Sequence, residues 1–176
     1  MDLASLHIDL KSLDYGRTER ALSLDDAYFE AIDAPDVRQG NLRVELAIER
    51  VAEDDFVLDF HIEGTVTVQC DRCLDDMELP VEAEERVEAK LGEEYSEDDD
   101  CVTVAEDEGI LDVAWLIYEF VALAIPVRHV HAPGKCNPAM IRMLEEHSAA
   151  RSGEGDEKAV DPRWAALAQL KNKLKE

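Results

Sequence analysis

The chain has 176 residues, a length that fits one domain, with room for a small appendage. Apolar residues make up 46% of it, enough to build a core without staples and to bury about 70% of the unfolded surface. The 18 bases against 42 acids leave a net charge of −24, a field that repels phosphate backbones, disfavours a general nucleic-acid binder and attracts cationic partners.

The opening MDLASLHIDL holds two acids and no base, and it does not read as a secretory leader. Residues 3–13 show partial alternation and predict a first strand. Residues 24–33 predict a short helix with acids in its first turn, ended by Pro35. In 41–51, Leu42, Val44, Leu46 and Ile48 alternate with polar residues, and Glu53–Asp55 form a turn. The alternation resumes over 56–64 with Phe56, Leu58, Phe60 and Ile62, and Gly64 permits a bend before 65–69. Residues 77–91 alternate Met77, Leu79, Val81 and Ala83 with acids, 92–100 read as an acidic loop, and 101–105 as one more strand. Between 75 and 108 lie 16 acids and two bases, a local charge of −14. Such a run is either a solvated face or a docking surface for a basic protein.

Residues 110–125 predict the main helix, capped by Asp112 and stopped by Pro126. It is apolar nearly all round and therefore expected against the sheet, with Glu119 facing out or paired with an arginine. Its apolar stretch is too short to span a bilayer, so a soluble, cytoplasmic protein is expected. Residues 126–137 form a loop, and 138–147 a short amphipathic helix with Pro138 in its first turn. Residues 148–160 are small or charged and read as a flexible linker. In 161–176, Asp161 and Pro162 open a helix whose Trp164, Leu167, Leu170 and Leu174 fall on one side. Four bases and one acid between 163 and 176 make this helix basic, and its stripe docks either on the acidic body or on a partner. The expected architecture is α+β: an antiparallel β meander or partly closed barrel packed by one long buried helix, with short C-terminal helices. The domains are 1–147, a linker 148–160 and a terminal helix 161–176.

Four cysteines are too few for a disulfide scaffold and point to metal ligands or plain thiols. Cys70 and Cys73, three positions apart at a strand-to-turn bend, can form a metal knuckle. The loop 126–137 offers Cys136 and either His131 or His129. A set of Cys70, Cys73, His131 and Cys136 would close a four-coordinate structural zinc site and hold a loop with little core of its own. Cys101 reads as a core thiol. His61 and Glu63 upstream of the cysteines hint at a zinc deaminase, but Gln69 rather than proline precedes Cys70 and the gap is short. A thioredoxin-like pair fails because acids and another strand follow, and Asp71, Asp75 and Asp76 would raise a thiol pKa. No phosphate-binding, nucleotide-binding or nucleophile-elbow motif occurs, so the chain reads as a binding protein, not an enzyme.

Three stretches together resemble one family: Val68-Gln-Cys70-Asp-Arg72-Cys73-Leu74, the helix running from Leu111 through Glu119 to Leu123-Ala-Ile-Pro126, and Asp161-Pro162-Arg163-Trp164 with Leu167 and Leu170. In this order and spacing they resemble the large ribosomal RNA subunit accumulation protein (YceD) family, over most of residues 40–170. The resemblance implies a bacterial cytoplasmic protein, not an enzyme, that supports synthesis, processing or stability of large-subunit ribosomal RNA. Many members of that family carry a second cysteine pair after the proline. Here the loop holds Cys136 alone, so a histidine must complete any four-ligand site. The acidic body then fits a holder of a basic ribosomal or assembly protein on a pre-large-subunit particle, with RNA contact indirect and no membrane or small-molecule substrate. Arg72, Trp164, Leu167, Leu170 and Leu174 are the candidate partner contacts. An acidic mimic of nucleic acid that inhibits a nucleic-acid-binding protein is the other reading.

Overall fold

The computed structural model describes residues 3–98 and 101–147. The chain divides into two units, residues 1–141 and 142–176, and every strand among the described residues lies in the first. The proposed linker 148–160 and terminal helix, with Trp164, Leu167, Leu170 and Leu174, lie outside the described residues.

The fold is α+β, built on an open six-stranded sheet that does not close into a barrel. Its centre is β3 (Gln39–Arg50), β4 (Asp55–Gln69) and β5 (Asp76–Gly92), paired antiparallel as the alternation predicts. Leu42, Val44, Leu46 and Ile48 bury one face of β3, and Phe56, Leu58, Phe60 and Ile62 the matching face of β4. Helix α1 (Asp26–Ala31) packs over β3, and α2 (Ala114–Ala124) over β5. The two helices are joined where the buried Tyr28 hydroxyl donates to the Ala114 carbonyl at 2.8 Å. Burial and the nearby Asp112 and Tyr118 push the Tyr28 phenol far above its usual range, so it stays a neutral donor.

Several elements depart from the sequence reading. Residues 3–13 are not one strand. Two 3-10 turns, Leu3–Leu6 and Leu10–Ser12, flank a three-residue strand β1 (His7–Asp9). Asp9 stops that strand: its side chain accepts from Ser12 N at 3.2 Å, and the Ser12 hydroxyl donates back to its carbonyl at 2.8 Å. An unforeseen edge strand, β2 (Gly16–Leu24), pairs along β3. Its inward positions Thr18 and Arg20 are polar and only half-buried, so alternation is faint there. The acidic stretch 92–100 contains a short strand β6 (Ser96–Asp98), which pairs with β7 (Cys101–Ala105). Strand β7 lies parallel to β5, so the sheet order is β2-β3-β4-β5-β7-β6 and the antiparallel meander ends at β5.

The main helix is also shorter than 110–125. Ile110–Asp112 form strand β8, which pairs with β1, and the helix starts at Ala114. The N-cap is Val113 rather than the expected Asp112, although the Asp112 side chain accepts the Ala114 N–H at 2.9 Å from one residue further out. Gly64 makes no bulge; it sits within an unbroken ladder opposite Leu42 and Val81. Its φ is +151°, and a Cβ there would run into the Asn41 carbonyl oxygen. Gly64→Ala should therefore cost at least about 2 kcal/mol and lower Tm by roughly 5 °C. A circular-dichroism melt measures this, and an unchanged midpoint contradicts it.

Candidate metal centre

The β4–β5 hairpin ends in a tight knuckle. Gln69 and Asp76 close the ladder, Cys70 N donates to Asp75 O at 2.9 Å, and Leu74 N to Cys70 O at 2.9 Å. Leu74 takes a left-handed φ of +63°, which turns the chain within four residues and buries Cys70 and Cys73 on one side. Arg72 and Leu74 point to solvent at the tip.

The other half comes from the loop 126–137 after α2. No residue of that loop is buried, so polar contacts must hold it. Asp71 supplies two of them. Its N–H donates to His129 O at 3.0 Å, and its carboxylate accepts His129 N at 2.7 Å. Asn137 clamps the far end: its side-chain amide donates to Asp75 at 3.1 Å, and its carbonyl oxygen accepts Ala139 N at 3.0 Å, starting helix α3 (Pro138–His147).

This loop brings Cys70, Cys73, His131 and Cys136 together, their candidate donor atoms all within 4.8 Å of one another. Cys70 Sγ lies 3.9 Å from Cys136 Sγ, and Cys73 Sγ lies 3.4 Å from His131 Nδ1. Bond lengths of about 2.3 Å to sulfur and 2.0 Å to nitrogen in a tetrahedron place neighbouring donors about 3.5–3.8 Å apart. The four side chains therefore fit a single metal ion.

Charge supports the same reading. Burial would push the Cys70 thiol up, but N–H groups of His131, Arg72 and Cys73 outweigh it and bring the thiol down to about 6. Burial and the neighbouring Cys70 and Cys73 push Cys136 up to about 11. Three sulfurs this close cannot all carry charge unless a cation sits among them.

His129 is not part of the set. Its Nδ1 lies 3.0 Å from the Pro126 carbonyl, and its Nε2 faces Asp71 at 3.7 Å. The choice between His129 and His131 is thus decided by Asp71, whose role as an anchor the sequence reading missed. Cys101 stands at the start of β7, outside the cluster. His61 lies on the outer face of β4, 3.6 Å from Glu84, and does not join the cysteines as a deaminase site would require.

A family model described as large ribosomal RNA subunit accumulation protein YceD matches residues 58–171, more than half of the chain. The chain belongs to the YceD family. The matched span takes in both halves of the cluster, α2 and α3, and omits β1, β2 and β3. Membership ties this YceD protein to the accumulation of large-subunit ribosomal RNA. No curated protein and no solved structure gives a significant match. No helix among the described residues is long and apolar enough to cross a membrane.

Cobalt(II) titration of metal-free protein should give the sulfur-to-metal charge-transfer and tetrahedral ligand-field bands. His131→Ala and Cys136→Ser should weaken or abolish them, and His129→Ala should retain them. Protons compete for the thiolates, so affinity should fall as pH drops from about 8 to about 6. Equal loss in His129→Ala and His131→Ala contradicts the assignment.

Proposed function

We propose that this chain supports large-subunit ribosomal RNA accumulation by binding a basic ribosomal or assembly protein, without catalysing a reaction. It acts in the cytoplasm on a pre-large-subunit particle, and its contact with RNA is indirect. The observation that carries this reading is the carboxylate display on the outer face of β4 and β5.

Period-2 alternation puts Glu78, Glu82, Glu84 and Glu88 of β5 on one exposed face, facing Thr67, Glu63, His61 and Val57 of β4. Glu63 sits directly opposite Glu82, an unfavourable like-charge pair. Asp59 on this face is neutralised: Arg86 holds it at 2.6 Å, Arg17 approaches to 3.9 Å, and the Arg86 hydrogen bond keeps its pKa below the ordinary range. Glu84 has only His61, at 3.6 Å, and Glu78, Glu82 and Glu88 have no ion-pair partner among the described residues. Their mutual repulsion opposes the compact state, and a cationic protein surface would relieve it.

The cluster is read as a zinc site. Thiolates and imidazole are the donors zinc prefers, and a closed four-donor set is the pattern of a structural ion. The metal supplies a cross-link between the knuckle and the loop. Asp71 and Asn137 orient the loop, and the buried cysteines keep water from the sulfurs.

Affinity capture of the full-length protein, with ribonuclease added, should retain basic large-subunit or assembly proteins and release them as salt rises. A parallel capture without ribonuclease that recovers RNA, with no basic protein retained in either, overturns the reading.

A further inference from the structure

We propose that the groove between α2 and the β5–β7–β6 edge seats a cationic amphipathic helix of a partner protein. This deepens the reading that the chain binds a basic protein, and it rests on that reading.

Helix α2 reads AWLIYEFVALA, with Glu119 its one ionisable carboxylate. One side buries Ala114, Leu116, Ile117, Tyr118 and Val121. On the other side Trp115 is 46% exposed and Leu123 79% exposed, with Glu119 between them and Phe120 and Ala122 half-buried at the flanks. A helix that is apolar on every side is expected to be covered on every side. Beside it lies a groove of about 680 Å³ with Val87, Val102, Phe120 and Leu123 in its wall.

The rim of this groove is acidic. Glu97 and Asp98 of β6 line one side and Glu119 of α2 the other. Tyr95 donates to Glu97 at 3.0 Å, and Trp115 donates through its ring N–H to Glu119 at 2.7 Å. Burial and the hydrogen bond to Glu97 push the Tyr95 phenol up, and the charges of Asp112 and Glu119 add to the shift. Among the described residues no base pairs with Glu97, Asp98 or Glu119.

Apolar walls under an anionic rim select their occupant. A phosphate chain meets repulsion and nothing to bond. A second copy of a −24 chain brings mostly more acid. A helix with leucine or aromatic anchors at i, i+3 or i+4, and i+7, flanked by Lys or Arg, satisfies both the walls and the rim. Arg86 and Lys90 fall on the opposite face of β5 from Val87 and Ala89, so neither serves the rim.

The test uses the full-length protein and a fluorescein-labelled helical peptide of about 18 residues with leucines on one face and lysines on the other. Wild type should bind it saturably. Leu123→Asp, at an exposed position that leaves the core intact, and Glu97→Lys should each weaken binding about tenfold. A variant carrying both Glu82→Lys and Glu84→Lys should bind normally, and a peptide with glutamate in place of lysine should not bind. If the Glu82/Glu84 variant fails while the groove variants bind, the groove assignment falls and the wider reading survives. If wild type binds nothing but a full-length variant with Trp164, Leu167, Leu170 and Leu174 changed to serine does, the chain's own terminus is the occupant and the partner assignment is wrong. If neither binds, the groove is not a docking site, and capture of basic proteins stands or falls separately.

Discussion

The register of β4 between β3 and β5 is the constraint from which the rest of the molecule follows. One ladder, from Gln39 opposite Thr67 to Arg50 opposite Phe56, holds β4 to β3, and a second, from Asp55 opposite Lys90 to Gln69 opposite Asp76, holds it to β5. Because side chains alternate, the same register that buries Phe56, Leu58, Phe60 and Ile62 turns Asp59, His61 and Glu63 outward. Core and acidic face are two consequences of one pairing. A slip by one residue would put carboxylates into the core, so the core protects the charge display as firmly as it protects itself.

The metal cluster finishes what the register begins. Strand β4 ends at Gln69, and the next residue is Cys70, the first member of the cluster. The knuckle therefore stands at a fixed height at one end of the acidic ladder. The loop that brings His131 and Cys136 has no buried residue, so hydrogen bonds from Asp71 and Asn137 and the cluster itself are what hold it. A metal ion there would cross-link β4 to the chain beyond α2, closing a loop of roughly 60 residues at little native-state cost because the donors already converge. Helix α2 is thereby held at both ends: by Asp112 and the Tyr28–Ala114 bond at its start, and by the anchored loop after Pro126.

Much of this was legible in the sequence, and the failures have physical causes. Strands β3 and β4 were readable because one face of each is almost wholly buried, and β5 because Met77, Leu79, Val81 and Ala83 alternate with acids although only Val81 of the four is fully buried. Strand β2 was not, because an edge strand can keep Arg20 and Thr18 on its inner side with their polar ends in water. Residues Ile110–Asp112 looked helical because their apolar run continues into α2; only the distant β1 draws them into a strand. The three cysteines of the cluster were singled out by thiol chemistry, whereas Cys101, expected as a core thiol, is only half-buried and lies outside the cluster. The fourth could not be chosen between His129 and His131 by spacing, since both fall in the same loop and the decision belongs to Asp71, far away in sequence. The groove beside α2 left no signal, because it exists only once β7 is inserted between β5 and β6.

The central claim is electrostatic: an anionic sheet face meets cationic protein surface. Its most direct test measures binding of purified full-length protein, side by side over a salt series, to naked large-subunit ribosomal RNA and to the basic proteins of the same subunit. The account predicts saturable binding to one or more of the proteins that weakens steadily with salt, and no binding to the RNA. Tight binding to the RNA with none to the proteins would contradict it.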